Sequence, residues 1–281
     1  MRIFRTKNEL HTYLRATKQE GNSLALVPTM GALHKGHLSL IREAQNVADV
    51  VICSIFVNPT QFNDPKDLEK YPRPIENDLQ LLAEAGCDAA FLPEVAEMYP
   101  PDDEPWHIDL GGLDDIWEGE KRPGHFQGVT QVVYKLFQLV QPDIACFGQK
   151  DFQQVMVIQR LIDVKNLSVK IHICPTVRSR EGLALSSRNI RLSEAGKTKA
   201  LALSRALWHI KTLFGQRPLH VLRAEALDIL HAEGEINVDY LAICESISLK
   251  ENDEVLPGKK YVALLAAWVE GVRLIDNMIL N

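Results

Sequence analysis

Apolar and polar positions along the 281-residue chain follow two alternating periods, and that alternation predicts a fold. Residues 23–28 are a short apolar run ending at Pro28. Between 37 and 48 the apolar positions fall at 38, 40, 41, 44 and 47, the spacing of one helix face. Residues 49–57 are β-branched and apolar on both faces, as suits a central parallel strand covered on both sides. Further helices are predicted over 75–86 (Gly86 as C-cap), 126–140 and 151–165, and strands over 88–92, 143–147 and 168–173. Such β–α alternation with right-handed crossovers gives an α/β fold, a doubly wound, Rossmann-like parallel sheet. Beyond residue 190 the pattern becomes two amphipathic helices (194–214 and 218–233) and then two strands (236–244 and 260–269). Asn252-Asp253 and Pro257-Gly258 mark turns there. The expected organisation is a main domain over 1–176 and a smaller C-terminal α+β domain over 177–281.

Composition narrows the class. A hydrophobic content of 46% supports a buried core, and a net charge of −6 argues against a nucleic-acid partner, which needs a dense basic face. The five cysteines, Cys53, Cys87, Cys146, Cys174 and Cys244, are too widely spaced for a CxxC zinc site and odd in number, so they read as reduced core residues. No apolar leader opens the chain and no stretch has the length of a membrane span, so the expected location is the cytoplasm.

Polar clusters recur where strands end. The first apolar strand runs into Pro28-Thr29-Met30-Gly31-Ala32-Leu33-His34-Lys35-Gly36-His37, and a helix follows. Ligands of open α/β sheets bind outside the carboxyl ends of strands, and a helix N-terminus favours an anion there. Gly31 and Gly36 allow close backbone approach. His34 and His37 can donate to phosphate oxygens; two ordinary capping histidines are the plainer alternative. The second strand ends in Asn58-Pro59-Thr60-Gln61, whose amides either hold a small polar substrate or build a turn. Phe147-Gly148-Gln149-Lys150-Asp151 lies at another strand-to-helix junction, with Lys150 suited to phosphate, Asp151 a possible helix cap, and Gln154 three residues on. Arg178 to Asn189, with Ser186, Ser187 and Arg188, reads as a polyphosphate clamp on a mobile lid or as a solvated linker. Glu118 to Phe126, including Arg122 and His125, is a further turn near these clusters.

The segments PTMGALHKGH, SIFVNPTQF, YPRP, RPGHFQGV, QPDIACFGQKDFQQ, GLALSSRN and AAWVEGVRLIDN together span nearly the whole chain. In this combination the sequence closely resembles the pantoate–β-alanine ligase family, within the wider HxGH adenylyl- and nucleotidyl-transferase superfamily. The resemblance implies condensation of pantoate with β-alanine through a pantoyl-adenylate, consuming ATP and releasing AMP and pyrophosphate. By position it implies that Met30, Gly31, His34 and His37 hold ATP, with His37 as proton donor or charge stabiliser. It implies the same ligand for Gly148, Gln149, Lys150, Asp151, Val177, Leu185, Ser186, Ser187 and Arg188. His34, His37, Lys150 and Arg188 form the implied catalytic set. Gln61 and Gln154, with Asn58 and His125, would hold pantoate and β-alanine, and Asp78 would lie in the environment of Mg²⁺. A homodimer, a C-terminal domain acting as a lid, and no nucleic-acid or membrane partner are also expected. Gln149, Leu185 and Asn77 stand where many relatives carry Glu, Met and an acidic residue.

Overall fold

The computed structural model describes residues 1–63 and 65–281. Two compact units divide them: Met1–Gly148 with Gln153–Pro175, and Gln149–Phe152 with Thr176–Asn281. The first unit contains β1 (Arg2–Phe4), α1 (Lys7–Gln19), β2 (Leu24–Thr29), α2 (Lys35–Gln45), β3 (Val50–Ile55), α3 (Pro65–Lys70), α4 (Ile75–Glu84) and β4 (Ala89–Phe91). The short α5 (Val95–Met98) and α6 (Glu118–Lys121) follow, then α7 (His125–Val140), β5 (Ile144–Gly148), α8 (Phe152–Lys165) and β6 (Lys170–Cys174). Its six strands lie in the order β1-β4-β3-β2-β5-β6, every neighbour parallel. This is the α/β sheet the apolar runs predict.

The sequence explains the sheet's burial and its ends. Ala25 and Val27 of β2, Val51 and Cys53 of β3, and Ala90 of β4 join Ile41, Ala44 and Leu82 in one buried cluster. Leu24, Leu26, Ile52 and Phe91 point to the opposite face and are equally buried. At the amino edge each strand start needs a partner for its first N–H. Three aspartates provide one: Asp49 accepts from Ser23 N at 2.9 Å, Asp88 from Val51 N at 2.9 Å, and Asp143 from Leu24 N at 2.8 Å. Each aspartate immediately precedes its own strand, so one residue ends a loop and caps the neighbouring strand.

Chain order reverses beside β2. From β2 the chain winds to β3 and β4 on one side, then returns to place β5 on the other. The crevice between the carboxyl ends of β2 and β5 is the switch point at which such sheets bind ligands. Thr29 and Ile55 are register partners, so β2 and β3 end level and release their loops at the same edge.

The second unit holds α9 (Glu194–Leu213), α10 (Leu219–Ala232) and the antiparallel strands β7 (Ile236–Glu245), β8 (Tyr261–Val269) and β9 (Val272–Ile279). Leu203, Leu207 and Ile210 of α9 and Leu222 of α10 pack with Ala263, Leu265 and Leu274 of the sheet. The sheet has three strands where the sequence pattern predicts two. Buried Asp276 and Asn277 break the alternation of β9. Its hairpin turns on Glu270 and Gly271, both at positive φ (50° and 72°), without the Asn-Gly signature that marks such turns. All five cysteines are free and buried, and burial pushes the Cys87 thiol up to about 12. Among the described residues no helix is long and apolar enough to cross a membrane.

Asp143→Ala leaves the Leu24 N–H without its acceptor. The expected cost is about 1–2 kcal/mol of unfolding free energy, with faster hydrogen exchange confined to the start of β2.

Candidate active site at the carboxyl edge of the parallel sheet

The Met30–His37 loop leaves β2 under two constraints. Gly31 and Ala32 both adopt positive φ, 81° and 49°, which turns the N–H groups of Ala32 and Leu33 toward one side. Asp78, on α4 and fully buried, receives them: Oδ2 accepts from Ala32 N and Oδ1 from Leu33 N, each at 2.8 Å. A Cβ at position 31 would sit 2.9 Å from Asp78 Oδ2, so only glycine fits. The loop is thus clamped to α4 before it enters α2.

His34 and His37 open that helix together. His34 is the N-cap, and its Nδ1 accepts from Gly36 N at 3.1 Å. His37 returns the bond, Nδ1 accepting from His34 N at 3.3 Å. This is a capping box built from two imidazoles, and it ties up otherwise unpaired donors of the first helical turn. Gly36 makes room, since a Cβ there would meet the His34 ring at 2.8 Å. The rings lie 4.2 Å apart between centroids. With both Nδ1 atoms accepting, the neutral rings carry their protons on Nε2. The capping reading of the pair is thus the one made by Nδ1, and Nε2 of each ring takes no part in it.

A second array forms after β3. Asn58 is buried, and its Nδ2 donates to Gln61 Oε1 at 3.2 Å and to Gly128 O at 3.0 Å. Its Oδ1 accepts from Tyr99 Oη at 2.7 Å and Thr60 Oγ1 at 3.1 Å. Burial pushes the Tyr99 hydroxyl up to about 12, so it remains a donor. His125, at the start of α7, contacts Gln61 O through Nδ1 at 2.9 Å and Arg122 Nη1 through Nε2 at 3.0 Å. A carbonyl only accepts and a guanidinium only donates, so the ring proton sits on Nδ1. Gln61 is thereby held by its backbone and its Oε1, and its Nε2 lies 2.9 Å from Met30 Sδ, a weak acceptor.

In the second unit, Gln149–Asp151 form a 3₁₀ turn, with Lys150 Nζ 3.9 Å from Asp151 Oδ1. Residues 177–185 form a hairpin in which Leu185 N donates to Val177 O at 2.9 Å and Arg178 pairs with Ala184. Ser186 caps the following turn Ser187–Arg191 by accepting from Arg188 N at 3.2 Å, and Ser187 and Arg188 are exposed.

Several expected residues have polar partners within the protein. Asn58 and His125, expected on substrate, use their polar atoms within the protein to fix Gln61. Asp78, expected near Mg²⁺, has both oxygens engaged by backbone N–H groups, and among the described residues no cluster of three or more His, Cys, Asp or Glu could cage a metal ion. Met30 and Gln61 come together, as do His34 and His37. Gly148 ends β5 at the same edge of the sheet. Of the two adjacent glutamines on α8, Gln153 is tied to Leu113 O, Ile116 O and Glu118 N, whereas half-buried Gln154 makes no side-chain hydrogen bond among the described residues. Sequence reasoning missed Tyr99 as a partner of the array, because a single Tyr outside any periodic run carries no signal.

A parallel doubly wound sheet with imidazoles, amides and a helix N-terminus at its carboxyl edge is the architecture of ligand-binding α/β proteins. A family model described as pantoate–β-alanine ligase matches residues 2–279. A pantothenate synthetase of Cytophaga hutchinsonii is 46% identical over 274 residues, covering 97% of this chain and 96% of the relative. The crystal structure of pantothenate synthetase from Thermus thermophilus superposes with a TM-score of 0.90 at 41% identity and 99% coverage of both chains. A pantoate–β-alanine ligase from Francisella tularensis, described as complexed with β-γ ATP and β-alanine, gives a TM-score of 0.79 at 34% identity, covering 99% of this chain and 97% of that one. The chain belongs to the pantoate–β-alanine ligase family, and is an enzyme of that kind.

Removing the Asp78 carboxylate leaves two loop N–H groups without acceptors. Asp78→Ala is expected to lower the unfolding free energy by about 2–4 kcal/mol in urea titration, with the lost amide protection centred on Ala32 and Leu33.

Proposed function

We propose that the enzyme joins pantoate and β-alanine into pantothenate in two ATP-dependent steps. The pantoate carboxylate oxygen attacks the α-phosphorus of ATP, the bond to the β-phosphate breaks, and pyrophosphate leaves. The resulting pantoyl-adenylate carries AMP where the acid carried a poor oxide leaving group. The β-alanine amine then attacks the activated carbonyl, the amine gives up a proton, and AMP departs with the electrons of the C–O bond. Such chemistry asks the protein to align reactants and to stabilise phosphate charge.

The observation that carries this reading is the double-imidazole cap of α2, which is held through Nδ1 and so offers Nε2–H donors at the anion-favouring end of a helix. We assign His37 as the donor that stabilises charge on the transferring phosphate, with His34 beside it and Lys150 and Arg188 as further charge-neutralising groups. Met30, Gly31, Gly148, Gln149, Asp151, Val177, Leu185, Ser186 and Ser187 complete the proposed nucleotide set. Gln61, its Oε1 held by Asn58, presents Nε2 as a donor for pantoate, and Gln154 offers a second amide. Asn58 and His125 act by orienting Gln61. In the same reading the main domain handles ATP and pantoate, and the C-terminal domain serves as lid on the β-alanine side.

The carboxylates present do not fit a protein-built Mg²⁺ cage, since Asp78 is engaged by the loop it holds. Mg²⁺ is assigned to the nucleotide, whose phosphates supply the hard oxygen ligands the ion prefers, with water as the remainder. The proposed assembly is a cytoplasmic homodimer, a state that sedimentation of the purified enzyme reads directly.

ATP–pyrophosphate isotope exchange tests the mechanism. With Mg²⁺ and without β-alanine, exchange is expected to require pantoate; exchange without pantoate, or none with it, would overturn the adenylate step. His37→Ala is expected to reduce pantoate-dependent exchange by about 10²–10³-fold, as for the loss of one preorganised charge-stabilising donor, with a loss of only about 1 kcal/mol of unfolding free energy from the broken cap on His34 N. Gln61→Ala should raise KM for pantoate at least tenfold while leaving KM for ATP within about twofold, the loss of a hydrogen bond to a charged group. Equal increases in both would remove Gln61 from the pantoate pocket.

A further inference from the structure

Two polar side chains are buried side by side near the end of β9, Asp276 at 5% and Asn277 at 2% exposure. Consecutive strand residues point to opposite faces. Asp276 shares its parity with Leu274 and Met278 of the core. It receives Arg178 through two bonds, Nη1 to Oδ2 at 2.6 Å and Nη2 to Oδ1 at 2.9 Å. The same guanidinium donates from Nη1 to Gly182 O at 3.2 Å, so Asp276, through Arg178, holds the first strand and the turn of the 177–185 hairpin. Asn277 works from the other face. Its Nδ2 donates to Gln149 O at 2.8 Å and Lys150 O at 2.9 Å, and its Oδ1 accepts from Gln149 Nε2 at 3.1 Å.

The consequence lies in the peptide geometry. The C=O and N–H of one trans peptide point in opposite directions. Binding the carbonyls of Gln149 and Lys150 to Asn277 therefore aims the N–H groups of Lys150 and Asp151 away from β9. Asn277 thus fixes the peptide planes on both sides of Lys150.

We propose that Asp276 and Asn277 are positioning residues for the nucleotide. From its two faces one strand fixes the spacing between the Gln149–Asp151 turn and the 177–188 segment, so that both grip ATP as one unit. This inference rests on the reading of those two segments as nucleotide-binding. Neither residue touches substrate in this scheme. Gln149 contributes through its backbone, its side chain being engaged by Asn277.

Steady-state kinetics on the full chain test the idea, with KM for ATP, pantoate and β-alanine measured separately for Asn277→Ala, Asn277→Asp and Lys150→Ala. Loss of the two carbonyl bonds in Asn277→Ala should raise KM for ATP about tenfold, with the other two within about twofold. Asn277→Asp should be worse than Asn277→Ala, because it sets an anion against two carbonyl oxygens. If Asn277 only filled space, the near-isosteric Asp would be the milder change. A fall in kcat alone, equal rises in all three KM values, or a milder Asp variant would overturn the positioning role, while a large ATP defect in Lys150→Ala left the nucleotide reading standing. An unchanged ATP response in Lys150→Ala would remove the nucleotide turn itself and the inference with it. Should Asn277→Ala not fold, Asn277→Ser retains one donor, and a selective rise of about threefold in KM for ATP is expected from it; no selective rise there overturns the role equally.

Discussion

The N-terminal half of the site depends on one buried carboxylate. The chain must leave β2, turn sharply and enter α2 within a few residues, and it does so through the consecutive positive-φ residues Gly31 and Ala32, which leave the N–H groups of Ala32 and Leu33 without a ladder partner. Asp78 supplies the acceptors from α4. That bond pair fixes where α2 begins, the start of α2 fixes the two histidines, and the reciprocal cap fixes which nitrogen of each ring carries the proton. Positive-φ strain at a non-glycine residue persists only when its surroundings over-determine it, and here a fully buried anion does so.

The same logic recurs around Gln61 and at β9. Each array contains an amide whose donors and acceptors are satisfied within the protein and which orients a neighbour. Asn58 does this for Gln61, and Asn277 does it for the Gln149–Lys150 backbone. A buried amide with unsatisfied atoms is costly, and one with all atoms satisfied has a single low-energy orientation. Rigid orientation is what the proposed acyl-adenylate chemistry would require of the protein, since geometry and charge stabilisation would carry that reaction.

Much of the fold was legible in the chain because parallel strands buried on both faces leave continuous apolar runs, such as residues 49–57, and the crossover helices leave a 3.6-residue period. Two of the strands stayed hidden for a physical reason. β1 is three residues long, too short for any period, and β9 interrupts its alternation with Asp276 and Asn277. The site followed the same division. His34, His37, Gln61 and Lys150 were visible as polar clusters at strand ends, but the tasks of Asp78, Asn58 and His125 were not, because each is defined by a partner 45, 70 or 64 residues away along the chain.

The sequence by itself determined the period of most helices and of the central strands, the edge of the sheet at which the polar clusters gather, and the family to which the chain belongs. Those properties are local or additive: burial on one face, a turn, a motif read residue by residue. Only the tertiary structure decided which polar groups hold one another in place. A side chain's hydrogen bonds are settled by what packs against it, and the backbone groups that engage Asp78, Asn58 and Asn277 carry no signature in the residues to which they belong.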